Sequence, residues 1–335
     1  MSRLSLLYPT SPPVLEPLLR AARAVDGLNL DRLWFGQLQT FELHQVAAYL
    51  AGAGIRTPVG AAVTLAPLRA PYEAAVAARS VAALTGLPFV AGYGPGAPEV
   101  ARGLIRGGYR RPRVAMVEYL RSVRDLLAGG HVDHEGEYHA TCAQLLPLAA
   151  PPIELGAGVL RPAMAEAMGE VADVAITLLT PPSYVAERIA PGLLAGATAV
   201  GRAAPRIATI VHAAVEHVGR DPYLLAERAA SAHLAKRHYA DMLCRAGVPV
   251  DPADPLSGAR AIVDSAVFVY GTRGDIADEI RRYHAAGVDE VVLNLCGVLA
   301  TEGVASMLRD LAAITAALRQ QTAIPSVAVA FAHSR

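Results

Sequence analysis

Gly156, Ala157 and Gly158 close the apolar run IELGAG, and Pro162 follows where a helix can open. Small residues at that place let backbone N–H groups approach an anion such as a phosphate, and the helix dipole favours negative charge. The same spacing also makes an ordinary tight strand-to-helix turn. GYGPG at Gly92–Gly96 likewise ends an apolar run and offers bare backbone to a flat ring or a turn. Between them, His131, Asp133, His134, Glu135, Glu137 and His139 crowd one short segment. Their spacing matches no standard zinc or iron pattern, so a solvated turn between two short strands is the expectation, with no metal. His212 stands in a long apolar run and has the side chain suited to proton transfer near neutrality; a structural histidine fits the same position.

These residues need a scaffold that gathers strand ends. Apolar runs at Arg3–Tyr8, Leu33–Phe35, Val59–Leu65, Phe89–Tyr93, Ile153–Leu155, Val174–Leu178, Ile207–Val215 and Val291–Leu295 read as strands. Helical periods follow nearly all of them, and Ser11 with Pro12 and Pro13 reads as the start of the first helix. Eight alternating units imply a parallel sheet closed into an α/β (β/α)8 TIM barrel. An open doubly wound sheet is the competing architecture, but the first strand runs into YPTSPP, which lacks its glycine-rich turn. Residues 220–270 carry two helical patterns without a clear strand and form an insertion between the seventh and eighth strands. Residues 322–335 form a C-terminal tail that either docks on a neighbour or stays disordered. The whole of 1–335 reads as one domain.

Composition narrows the function classes. The 335 residues are 53% hydrophobic and 18% charged, enough for a large core. Lys+Arg and Asp+Glu are 30 each, which gives no support to a nucleic-acid partner and mildly favours self-association. The three cysteines, Cys142, Cys244 and Cys296, are too scattered for a disulfide framework or zinc site. No signal-peptide pattern or membrane-length apolar run is legible, so a cytoplasmic location is expected.

Three stretches together resemble the luciferase-like monooxygenase superfamily, in particular its F420-dependent (deazaflavin) branch. They are DRLWFG with TPVGAAVTLAPLRAPYEAA, PFVAGYGPG with RPRVAMVEYLRSVRDLLAGGHVDHEGEYH, and PPIELGAGVLRPAMAEAMGEVADVAITLLTPPSYVAERIAPGLLAGATAVGR. They stand in the family's order and cover most of residues 30–220. The resemblance implies a barrel with the cofactor ring at the C-terminal mouth of the strands. It implies a non-prolyl cis peptide on the third strand at Ala62–Val63, beside Leu65. It also places the cofactor phosphate at Gly156, Ala157, Gly158 and Val159, with Thr177 or Thr180 nearby, and suggests a homodimer paired through outer helices.

The chain also departs from that pattern. Sugar-phosphate dehydrogenases of the deazaflavin branch carry Asp-His where this chain has Gln37-Leu38, and a glutamate where it has Ala97. Sugar oxidation is therefore disfavoured, and an F420H2-dependent reductase is the leading expectation. Its hydride acceptor would be an activated C=C or C=N bond of a biosynthetic intermediate, a dehydroamino acid in a modified peptide included. An FMN-dependent monooxygenase and a non-catalytic barrel scaffold are the alternatives. Gln37, Tyr93 and His212 are the polar candidates closest to the implied ring, Gln37 for orientation and His212 as the group titrating near neutrality.

Overall fold

The computed structural model describes residues 3–8 and 14–323, the side chains of 321–323 excepted. The expected cap at Ser11–Pro13 lies outside the described residues, as does the tail beyond Ala323. In chain order the strands are β1 (Arg3–Tyr8), β2 (Leu33–Phe35), β3 (Val59–Ala61), β4 (Thr64–Leu65), β5 (Phe89–Gly94) and β6 (Val132–Glu135). They continue with β7 (Ala140–Ala143), β8 (Ile153–Gly158), β9 (Val174–Leu178), β10 (Arg206–Val215), β11 (Phe268–Gly271) and β12 (Glu290–Asn294). β1, β2, β3, β5, β8, β9, β10 and β12 pair in parallel, and β12 returns to β1, so the eight-stranded barrel closes as expected. Closure leaves no free edge, which is what parallel strands covered by crossover helices require.

Side chains alternate along each strand, so one set fills the barrel and the other meets the helices. Leu7, Trp34, Val90, Val174, Ile176, Ala208, Ile210 and Val292 form the inner core. Gly60 is needed for this packing, because a Cβ there would stand 2.6 Å from the Trp34 ring. The larger core lies between strands and helices, where Leu6, Leu33, Phe35, Phe89 and Leu293 meet apolar helix faces. Below the inner core, at the N-terminal ends of the strands, sits a polar floor. Glu290 accepts hydrogen bonds from Ser5 Oγ and Trp34 Nε1, each at 2.7 Å, and Arg206 forks onto Glu154 at 2.8 Å.

Several elements differ from the sequence reading. The third apolar run is two short strands, β3 and β4, on either side of the Ala62–Val63 bond, which is cis. A short helix, Pro98–Leu104, follows β5. As expected for the acidic and histidine-rich segment, two short strands flank it, β6 and β7, paired as an antiparallel hairpin. Glu118 accepts the backbone N–H groups of Glu137, Tyr138 and His139 there at 2.9–3.2 Å, which accounts for the turn, and no metal-ligating cluster occurs among the described residues. The insertion holds three helices, Pro222–Leu234, Arg237–Arg245 and Pro255–Asp264, and ends in β11. β11 pairs with the upper part of β10, Val215 opposite Gly271, outside the closed barrel. Among the described residues no helix is long and apolar enough to cross a membrane.

Candidate active site at the barrel mouth

The mouth is shaped first by backbone. At the Ala62–Val63 bond the chain turns inward. Its position is held by Ala62 N donating to Phe35 O (2.7 Å), Thr64 Oγ1 donating to Gly92 O (3.0 Å) and Leu65 N donating to Gln37 Oε1 (3.2 Å). The neighbouring strands make room with glycine. A Cβ on Gly92 would lie 2.0 Å from Ala61 O, one on Gly94 2.7 Å from Val63 Cγ2, and one on Gly156 2.8 Å from Ile176 Cδ1. Gly92, Gly94 and Gly156 therefore serve close packing across the mouth. Gly158 differs, since a Cβ there would meet Val63 at an ordinary 3.7 Å. Gly92→Ala is expected to lower stability by about 1–3 kcal/mol, the usual cost of overpacking. Thermal unfolding checks this, and an unchanged melting temperature would contradict the close approach.

Above this backbone lies a cavity of about 530 Å³, within the range of roughly 300–1,000 Å³ usual for small-molecule sites. Ala62, Val63, Ile176 and Ile210 give it an apolar base. Leu65 and the Gly94–Pro98 turn line one side, and Gly158, Val159, Arg161 and Met164 another. His233, Lys236, His238 and Tyr239, from the junction of the first two insertion helices, complete the wall. No carboxylate stands among the described residues that line it. Two ion pairs tie the mouth together: Lys236 Nζ to Glu99 Oε1 at 2.6 Å, and Arg161 Nε to Asp241 Oδ2 at 3.0 Å.

Of the residues singled out in the sequence, Ala62, Val63, Leu65, Gly158, Val159 and Thr177 line the cavity. Gly156 and Ala157 are not on its surface. The Val159 N–H is already given to Ile176 O at 2.8 Å and is not available to an anion. The Thr177 hydroxyl donates to Thr209 Oγ1 at 3.0 Å, and buried Thr180 donates to Leu178 O at 3.1 Å. Gln37 holds Leu65 and also donates to Leu38 O at 3.0 Å, so it orients the β4 backbone. Tyr93 faces the helical shell. Its hydroxyl donates to Ala74 O at 3.3 Å, its ring packs edge-on against Tyr119, and burial pushes the phenol well above its ordinary pKa.

The expectation that His212 titrates near neutrality is corrected. It is only 1% exposed, its Nδ1 lies 3.5 Å from Cys296 Sγ, and its ring stacks on Phe268. Burial, with the His233 charge adding to it, pushes its pKa down to about 3. The cause is the chain that packs around this part of β10: Cys296 also reaches Ala229 O on the first insertion helix, and β11 lies alongside. The sequence reading did not single out Arg161, His233, Lys236, His238 or Tyr239. In AHLAKRHYA, polar and aromatic side chains recur at 233, 236 and 239, but the helix breaks between Leu234 and Arg237, so a reading by helical period does not bring them together.

A family model described as luciferase-like monooxygenase matches residues 2–290. The chain belongs to the luciferase-like monooxygenase family. Solved structures of the same fold include an F420-dependent secondary alcohol dehydrogenase in complex with an F420-acetone adduct. It is 16% identical, with a TM-score of 0.70 over 93% of this chain and 99% of that one. A coenzyme F420-dependent tetrahydromethanopterin reductase from Methanopyrus kandleri aligns with a TM-score of 0.67 and 16% identity, over 92% and 97% of the two chains. The oxygenating constituent of 3,6-diketocamphane monooxygenase from Pseudomonas putida, in complex with FMN, gives 0.71 and 15%, over 97% and 99%. This luciferase-like chain thus shares its barrel with proteins that use either cofactor.

Proposed function

We propose that this luciferase-like protein is an F420H2-dependent reductase acting on an activated C=C or C=N bond of a biosynthetic intermediate. A dehydroamino acid in a modified peptide is one such substrate class. The observation that carries the reading is the composition of the cavity wall: an apolar base, cationic side chains at the mouth, and no carboxylate among the described lining residues. Reduction of a polarised double bond calls mainly for orientation and exclusion of water, which such a wall supplies.

The residues fit a phosphate-bearing deazaflavin. Ala62, Val63, Ile176 and Ile210 offer an apolar surface for the flat ring, and bare Gly158 leaves room beside Val63. Arg161 precedes the helix Pro162–Gly169, so a guanidinium and a positive helix end stand together near Lys236, where an anionic tail is favoured. The reduced deazaflavin, when bound, supplies the hydride. The protein's part is to press the substrate onto that surface and keep water out. The same reading includes a homodimer.

Fluorescence titration with F420 and with FMN tests the proposal. Saturable F420 binding is expected, and Gly158→Leu should weaken it about tenfold, equivalent to roughly 1.4 kcal/mol. Binding of FMN alone would overturn the deazaflavin reading in favour of a monooxygenase, and binding of neither would favour a scaffold. Unaltered F420 affinity in folded Gly158→Leu would overturn the placement.

A further inference from the structure

Between Ala101 and Val114 the chain reads RGLIRGGYRRPR, with Arg102, Arg106, Arg110, Arg111 and Arg113 all exposed and no acidic residue among them. The segment runs along the rim of the cavity, since Ala101, Tyr109 and Pro112 line it. It is held in place. Gly107 and Gly108 turn it at positive φ (83° and 61°), and the Arg102 stem lies against Gly108. The Tyr109 ring packs edge-on against Tyr138 and His139 of the β6–β7 hairpin, and Arg111 N donates to the Tyr138 hydroxyl at 2.8 Å. The acids packed against it are already engaged. Glu137 takes Arg111 at 2.8 Å, and Glu118 takes three backbone N–H groups. Glu99 takes Lys236 of the roof that His233, Lys236, His238 and Tyr239 lay over the cavity. Among the described residues Arg102, Arg106, Arg110 and Arg113 make no ion pair. Beside them on the helix Pro98–Leu104, Val100 and Leu104 are exposed one turn apart.

We infer that this rim is a docking surface for an acidic and apolar peptide segment, the part of a peptide substrate that stays outside the cavity. The inference deepens the reductase reading and rests on it for the reaction. Each guanidinium presents a planar fork that matches a carboxylate bidentately. Val100 and Leu104 offer apolar contact next to those forks. Position selects the class of ligand. The free arginines stand outside the cavity whose base is assigned to the cofactor ring, so they act on a portion of the ligand that reaches beyond the mouth. An extended peptide advances about 3.3 Å per residue and can keep one residue inside while its neighbours lie along the rim. The basic surface is also bounded. The adjoining strand β6 carries exposed Asp133 and Glu135, and the whole chain has no net charge. A short basic strip of this kind suits a peptide segment better than a nucleic acid or a membrane, which call for a broad basic face.

The test uses the cofactor-free full chain and short fluorescein-labelled peptides, read by fluorescence anisotropy. A peptide alternating glutamate and leucine should bind saturably, and more weakly as salt rises from about 0.05 to 0.5 M. Its counterpart with glutamine for glutamate should bind about tenfold more weakly or worse. Arg106→Ser, Arg110→Ser and Arg113→Ser together leave the packed Arg102 and the paired Arg111 in place. They should weaken the acidic peptide about tenfold, since each exposed pair contributes up to a few-fold. Arg106→Lys, Arg110→Lys and Arg113→Lys together keep the charge and should retain most of the affinity. F420 affinity, titrated in parallel, should be the same in the triple serine variant as in the wild type. Unchanged peptide affinity in the folded triple serine variant, or equal binding of the glutamate and glutamine peptides, would overturn the inference. So would tighter binding of a thymidine oligonucleotide or of phosphatidylserine vesicles than of the peptide. An equal loss of F420 affinity in the triple serine variant would overturn it by assigning the rim to the cofactor's anionic tail. Arginine-dependent peptide binding by a protein that oxidises no F420H2 would instead leave the docking surface intact and remove the reductase reading.

Discussion

Replacing Glu290 with alanine is expected to destabilise the barrel by about 3–5 kcal/mol, the range for breaking a buried charge cluster from one side. Glu290 is fully buried at the polar floor. Its Oε1 takes the Ser5 hydroxyl and the Trp34 indole N–H at 2.7 Å each. Arg206 Nη1 lies 3.6 Å away and Arg32 Nε 3.8 Å. Burial lowers the basicity of the Arg32 guanidinium, and the charges of Glu290 and Glu154 counter it. Without the Glu290 carboxylate, Trp34 and Ser5 lose their acceptor and two guanidiniums face each other across the closed end. Glu290→Gln keeps the shape and one acceptor and should cost less. Urea unfolding measures both, and a loss below about 1 kcal/mol in Glu290→Ala would reject the floor as a structural unit.

Acid should weaken the protein well before its carboxylates titrate. The folded pKa of His212 is about 3, against roughly 6.5 for an unfolded histidine. Between these values the unfolded chain takes up a proton that the folded chain refuses, so acidification favours unfolding. The contribution is full above about pH 6.5 and falls by up to about 1.4 kcal/mol per pH unit towards pH 3. His139, His233 and His238 are lowered in the same direction, each first by burial. Glu42 adds to the loss only lower, from its ordinary range down to about 2; burial alone would raise it, but hydrogen bonds from His44, Gln45 and Arg69 prevail. Urea midpoints measured between about pH 7 and 4.5 should show the slope, and His212→Gln should flatten it by about 1.4 kcal/mol per unit. An identical slope in the variant would mean that His212 is already protonated or solvated in the folded state.

The barrel was legible because its signal is local and repeated. Short apolar runs alternate with helical periods, and each run falls on or within a residue or two of a strand. The outward orientation of Tyr93 was legible too, though the strand-end rule overrode it. Gly92 and Gly94 occupy alternate positions of one strand and Gly156 and Gly158 of its neighbour, so Tyr93 and Ala157 must point the other way. What the strand period does not carry is what packs over a strand end. His212 shares the inner face of β10 with Ala208 and Ile210, as alternation requires. Its insulation from solvent comes from contacts with residues far along the chain, Cys296 and Phe268. β11 is four residues long and follows a helix directly, and so short an apolar run does not distinguish strand from helix. The roof residues were missed for the same reason as the cover over His212: their partners are distant in sequence.

The insertion begins and ends at one place on the barrel. Val215 lies opposite Gly271 in the β10–β11 pair, and the buried carboxylate of Asp310 accepts both Val215 N at 3.0 Å and Arg220 Nη1 at 2.7 Å. The segment that bears His233, Lys236, His238 and Tyr239 is therefore clamped at its root and held again over the mouth by the Lys236–Glu99 and Arg161–Asp241 ion pairs. The base beneath it is built of backbone and glycine, where a Cβ at Gly92 or Gly156 has no room. Variation at this mouth is thus unevenly permitted. The glycine-built half is fixed by its own close packing, while the half above it is carried on side chains of an inserted segment that no barrel strand supplies.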